Sequence, residues 1–87
     1  MSSLRLLEVV VPDDRADDLR ALLDEEPELL GRWTETVDDQ TARARLLVPR
    51  DHTEGVSDRL SDRFDGVEGF RLILFDVEAT VPRVEEP

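Results

Sequence analysis

Hydrophobic positions along this chain follow two rhythms, and the switches between them mark out six elements. Leu4 to Val11 is apolar on both alternating sets, Leu7, Val9 and Val11 with Arg5 on one and Leu4, Leu6 and Val10 with Glu8 on the other. A run with two apolar faces reads as a strand with sheet neighbours on either side. Glu8 marks its own set as the more open face. Pro12 stops the strand, and Asp13 and Asp14 follow as an N-cap and as negative charge at a helix start. The period then changes. Ala16, Leu19, Leu22 and Leu23 fall on one helical stripe, which predicts a helix over 15–26 that ends at Pro27.

Two short alternating runs come next. Arg32 to Val37, with Trp33, Thr34 and Thr36, suits a strand. Ala42 to Val48 alternates more cleanly, with Ala42, Ala44, Leu46 and Val48 against Arg43, Arg45 and Leu47. Between them Asp38-Asp39-Gln40-Thr41 reads as a hairpin turn. A two-residue turn at Asp39-Gln40 predicts Trp33 opposite Leu46 and Val37 opposite Ala42 on the core face, with Thr34 and Thr36 beside Arg45 and Arg43 on the open one. Pro49 closes this strand. Asp51-His52-Thr53-Glu54 has the form of a capping box. A second helix is expected over 52–64, with Val56, Leu60 and Phe64 buried and Arg59 and Arg63 on its solvent side. Asp65-Gly66 is its stop, the glycine supplying a left-handed residue. Gly55 weakens the helix relative to alanine, and so points to close packing there. Phe70 to Glu78 is the last strand.

The element order is therefore β-α-β-β-α-β, the split βαβ arrangement. Right-handed crossovers put the first and third strands at the centre. The expected fold is an α+β ferredoxin-like two-layer sandwich with an antiparallel sheet in the order 4-1-3-2. One domain spans residues 1–80, and 81–87 form an acidic, proline-bearing tail. At 87 residues such a domain has a small core, which makes association with a partner relevant.

Charge narrows the partners. The chain carries 22 acidic against 11 basic residues, a net charge of -11, and every basic residue is arginine. Phosphate backbones and anionic membrane surfaces would be repelled, so nucleic acid is not an expected partner. The excess of carboxylates fits either adaptation to a salty cytosol, where salt screens their repulsion, or an ordinary acidic protein with a GC-rich coding bias; a stability that does not rise between low and molar KCl removes the first. With no cysteine there is no disulfide, thiolate metal site or thiol nucleophile. No apolar run reaches the roughly 20 residues of a membrane span, and no signal peptide is evident. The expected location is cytoplasmic, free or at the cytoplasmic face of a membrane protein.

Two phrases, Arg5-Leu6-Leu7-Glu8-Val9-Val10-Val11-Pro12 and Phe75-Asp76-Val77-Glu78-Ala79, with the spacing between them, resemble the N-terminal soluble domain of domain-of-unknown-function family 389. Those are uncharacterised multi-spanning membrane proteins. The likeness covers nearly all of the chain and rests on strand-and-turn patterns rather than catalytic signatures. This chain departs from it in having no hydrophobic membrane region. The resemblance implies an excised cytoplasmic domain or a free-standing relative, and it brings no active-site residues.

Candidate chemistry is thin. His52, the only histidine, reads as a surface residue at a helix start, since general-base work needs a positioned partner. Asp13, Asp14, Asp17 and Asp18, and the run Asp24-Glu25-Glu26 with Glu28, could offer oxygen ligands to a cation; capping and solvation account for them. Ser57 and Ser61 lie in no nucleophile motif, and the four scattered glycines form no phosphate loop. No catalytic, metal or cofactor residues are assigned, and the chain is expected not to be an enzyme.

The open sheet face is the candidate interface. It is expected to carry Leu4, Leu6, Glu8, Arg43, Arg45, Leu47, Leu72 and Leu74; contiguous apolar area of that extent marks contact surfaces, the alternative being that the leucines are dispersed and shielded by arginine stems. The expected function is a non-catalytic interaction or sensory domain, the cytoplasmic part of a membrane protein or its partner, associating through the sheet face or an edge strand as a homo-oligomer. The alternative is an ACT-like module that binds a small regulatory ligand, with a pocket expected around Val11 to Asp14.

Overall fold

In the computed structural model, residues 3–83 are described. Four strands form one antiparallel sheet: β1 (Leu4–Pro12), β2 (Gly31–Asp38), β3 (Thr41–Pro49) and β4 (Arg71–Asp76). Their spatial order is β2-β3-β1-β4, the expected 4-1-3-2 read from the other edge. Helices α1 (Ala16–Asp24) and α2 (Thr53–Phe64) cover one face. The fold is thus the ferredoxin-like sandwich. Of the expected tail, residues 84–87 lie outside the described residues.

The core is the layer between helices and sheet. Leu7, Val9 and Val11 of β1 meet Ala44, Leu46 and Val48 of β3, all fully buried. Leu19 and Leu23 of α1 and Val56, Leu60 and Phe64 of α2 close over them. Phe64 stacks on Phe70, with ring centroids 5.5 Å apart. This follows the stripes of the sequence, because only a helix period of 3.6 and a strand period of 2 bring those positions together.

Both helices begin differently from expectation. Each is entered through a proline, Pro12 or Pro49, and then one 3-10 turn, Asp13–Arg15 or Arg50–His52. Neither helix has a side-chain cap bond, so Asp13, Asp14 and Asp51 do not cap and the box at Glu54 does not close. The tight turn orders the entry backbone instead. The Asp13 N–H donates to Gln40 O at 2.8 Å, and Thr53 Oγ1 donates to Pro49 O at 3.2 Å. The α2 stop is as expected: the helix ends at Phe64, and Gly66 takes φ +76°, where a Cβ would be strained.

The second strand corrects the expected register. The turn at Asp39-Gln40 is present, with Asp38 opposite Thr41, but a bulge between Thr36 and Asp38 shifts the pairing by one. Trp33 lies opposite Arg45, Glu35 opposite Arg43, and Thr34 and Thr36 opposite Ala44 and Ala42. One residue of slip moves every side chain to the other face. The reason is Glu35. In the unshifted register it would share a face with Trp33 and Val37, pressed without a partner on fully buried Ala44, and a desolvated lone carboxylate costs several kcal/mol. The shifted register brings Glu35 out against Arg43. Trp33 goes with it, and is 58% exposed.

Candidate functional site

The uncovered sheet face is built from alternate residues of all four strands. Glu8 pairs with Arg45 across β1 and β3 and with Ile73 across β1 and β4. The same face therefore carries Leu4, Leu6 and Val10 of β1, Trp33 and Glu35 of β2, Arg43 and Leu47 of β3, and Arg71 and Phe75 of β4. Of the eight residues expected here, Leu4, Leu6, Glu8, Arg43, Arg45 and Leu47 lie on this face. Leu72 and Leu74 do not. They pair with Val9 and Leu7, which places them on the helix side. Ile73 and Phe75 take their place. Leu4 and Leu47 are each only 6% exposed, so little of either is available for contact.

A ladder of charges crosses the middle of the face. Arg43 Nε donates to Glu35 Oε1 at 2.8 Å, and its Nη2 reaches the same oxygen. Arg43 Nη1 is 3.3 Å from Glu8 Oε1, and Arg45 Nε is 3.4 Å from that oxygen. Glu8 is buried, and two guanidiniums offset the cost of its desolvation. The Arg43 hydrogen bond, and then its charge, holds the Glu35 carboxyl below the usual carboxylate range. A depressed pKa contributes stability above the unfolded value, and that contribution is lost as pH falls through the folded one. Wild type and Glu35→Gln should therefore differ most near neutral pH and converge below about pH 4. The effect is modest because the pair is exposed. Urea midpoints at several pH values check this; a constant difference would show that the pairing plays no part.

Beside the ladder lies a hollow of about 450 Å³ lined by Leu6, Trp33, Thr34, Glu35, Arg43 and Arg45. The Trp33 ring lies over Gly31: a Cβ there would sit 2.6 Å from Trp33 Cη2. The missing side chain therefore sets the ring against the strand. Arg45 is exposed, and its one described bond is the long contact to Glu8. Asp38 spends its carboxylate on the Gln40 N–H, 2.8 Å away. The strand positions of this face carry three arginines, Arg43, Arg45 and Arg71, against three carboxylates, Glu8, Glu35 and Asp38. Its charges therefore balance, in a chain of net charge -11.

The helix side holds a second polar cluster that the sequence did not reveal. Glu26, expected on a solvated run, has a side chain only 4% exposed and is gripped by Arg59 through Nε and Nη2, the latter 2.7 Å from Glu26 Oε2. Arg59 folds back over Gly55, whose Cβ would lie 3.3 Å from Nη1, and this is the close packing expected at that glycine. Arg63 donates to Asp18 at 3.0 Å, and Arg15 holds the other oxygen of Asp18. The two arginines expected on the solvent side of α2 thus stitch it to α1 and the segment that follows. His52 is not solitary: its Nε2 is 3.4 Å from Glu28 Oε2. Asp17 is paired with Arg20. Among the described residues, no group of three or more His, Cys, Asp or Glu side chains is placed to hold a metal ion. The end of β1 around Val11 to Asp14, where the ACT-like pocket was expected, is tied to the hairpin by the Asp13–Gln40 bond, and neither that hollow on the face nor a larger one beside Glu26 and Arg59 is lined by those residues.

No family model matches the chain, and no curated protein does. Solved structures do resemble it. A protein of domain-of-unknown-function family 3240 from Shewanella baltica OS155 superposes with a TM-score of 0.78 at 16% identity, over 92% of this chain and 96% of that one. CPII from Thiomonas intermedia K12, in a structure bound to ADP, AMP and acetate, superposes with a TM-score of 0.69 at 15% identity, over 85% of each chain. At these identities the likeness is one of fold, and the fold it supports is the ferredoxin-like sandwich.

Proposed function

We propose that this chain is a non-catalytic regulatory module that binds a small anionic ligand in the hollow of its open sheet face. The observation that carries the reading is the juxtaposition of Trp33 with Arg43 and Arg45 on a face whose arginines and carboxylates balance, in a chain of net charge -11. A flat ring offers a stacking surface, and guanidiniums offer charge-assisted bonds to carboxylate or phosphate. In a net-negative protein a locally balanced face repels anions less than the rest of the surface, and exposed Arg45 offers them a charge there. The fold likeness to CPII, whose structure holds three anionic ligands, supports the same class. Attachment to a membrane protein, implied by the resemblance to family 389, is a separate expectation on which the geometry of this site does not bear; no helix of the described residues is long and apolar enough to cross a membrane.

Trp33 is the only tryptophan and there is no tyrosine, so intrinsic emission reads the site directly. Titration with AMP, ADP, acetate and acidic amino acids should change the emission of Trp33 and raise the thermal midpoint for at least one of them. Arg45→Ala should weaken that response about tenfold or more, in line with loss of one charge-assisted bond of ~1.5–3 kcal/mol. Silence from every anion in both measurements, with a response to divalent cations or neutral amino acids instead, would end the reading.

A further inference from the structure

We infer that β4 is a docking edge for a second copy of this chain, joining two sheets into one of eight strands through an antiparallel β4–β4 pair centred on Ile73. The two edges of the sheet differ in kind. The β2 edge is blunted by the bulge between Thr36 and Asp38 and carries Arg32, Glu35 and Asp38 along its length. Those are the devices that keep an edge from pairing. The middle of the β4 edge has none of them, its charges, Arg71 and Asp76, standing only at its two ends. Leu72-Ile73-Leu74-Phe75 runs without bulge, proline or charge, and pairs with β1 in unbroken register. No backbone hydrogen bond from another described element reaches its outer side. Leu74 is 42% and Phe75 44% exposed, so this edge holds two of the five large hydrophobic side chains that stand clear of the core among the described residues.

Charge and register select the occupant. Arg71 and Asp76 bracket the edge and cancel, so two molecules that repel elsewhere can meet here. A two-fold pairing must put opposite residues on the same face, so its centre falls on a residue. Centred on Leu74, it would set Leu72 beside the partner subunit's Asp76, a carboxylate already held by Arg5 at 3.3 Å and Arg50 at 3.0 Å. Centred on Ile73, it sets Leu72 beside the partner's Leu74 on the helix side. Arg71 then falls beside the partner's Phe75 on the open face, where a cation can lie over a ring. Asp76 stays outside the overlap with its arginines, and the hollow at Trp33 stays uncovered at the far end of each sheet. The inference is thus independent of the ligand reading.

The test is the mass of the full chain by analytical ultracentrifugation, between about 10 μM and 1 mM, in low and molar KCl. A dimer is expected. Ile73→Lys sets two like charges face to face across the two-fold, on an open-face position where the long side chain can reach water. It should weaken the dimer by ~30-fold or more with an unchanged far-UV spectrum and thermal midpoint at equal monomer concentration. In this cysteine-free chain, Ile73→Cys should cross-link under mild oxidant, since directly opposed Cα atoms lie about 4.5–5.5 Å apart; Glu35→Cys on the far edge should not. A wild-type monomer at the highest concentration, or a dimer that survives Ile73→Lys and does not cross-link through Ile73→Cys, overturns the proposal. Anion titration of the Ile73→Lys monomer tells the two readings apart, because its Trp33 response should be intact.

Discussion

Phe64→Ala should lower the unfolding free energy by about 3–5 kcal/mol, a large part of the stability of a domain this size. Phe64 is the last residue of α2, is fully buried, and stacks on Phe70 from the segment that leads into β4. Truncation removes the ring's own burial and leaves a cavity in a layer with few side chains to refill it. It also frees Phe70, so the link between α2 and β4 loosens with the core. Phe64→Leu keeps most of the volume and should cost well under half as much. Urea unfolding followed by circular dichroism measures both. Equal losses in the two variants would mean that packing at this site is not what holds α2 down.

Arg59→Ala should cost about 1–3 kcal/mol, far more than a half-exposed arginine ordinarily does. The cost belongs to Glu26, whose carboxylate is almost wholly out of water and is satisfied by both prongs of the Arg59 guanidinium. Arg59→Lys should recover only part, because an ammonium cannot reproduce the fork. Adding Glu26→Gln to Arg59→Ala should restore stability relative to Arg59→Ala alone, since the stranded charge has gone. A double variant as unstable as the sum of its singles would show that the two side chains act separately.

The contrast between these two residues shows what the chain discloses of itself. Phe64 stands on a helical stripe with Val56 and Leu60, and a stripe of that kind has one packing solution; the strand order follows from the same patterning and from crossover handedness. Glu26 is a carboxylate in an acidic run, and nothing local marks it as buried. Its burial comes from where α2 places Arg59, far along the chain. The same holds on the sheet. In β4, apolar residues occupy both alternating sets, so alternation cannot say whether Leu72 and Leu74 or Ile73 and Phe75 face the helices. The pairing of Val9 with Leu72 decides it. In β2 the alternation was plain, and it misled, because a bulge cancels parity. The signal was Glu35, a charged residue flanked two positions away on each side by Trp33 and Val37, which together could not all be core. Six of the eight expected interface positions lie on the open face because β1 and β3 are regular. Trp33, central to the proposed site, sits on the face opposite to the one its alternation predicts.

The central place of β1 bears on how the chain reaches this form. Its neighbours β3 and β4 are both synthesised later, and Glu8 meets Arg45 and Ile73 only after most of the polypeptide exists. A nascent chain must therefore hold an apolar ribbon, Leu4 to Val11, without hydrogen-bond partners on its β4 side until the final strand emerges. Contacts so distant along the chain slow folding, because loops must close before they are repaid in contacts. A fragment ending before Arg71 would leave that ribbon bare on one side, prone to clump and dependent on chaperones, although it contains both helices and three of the four strands.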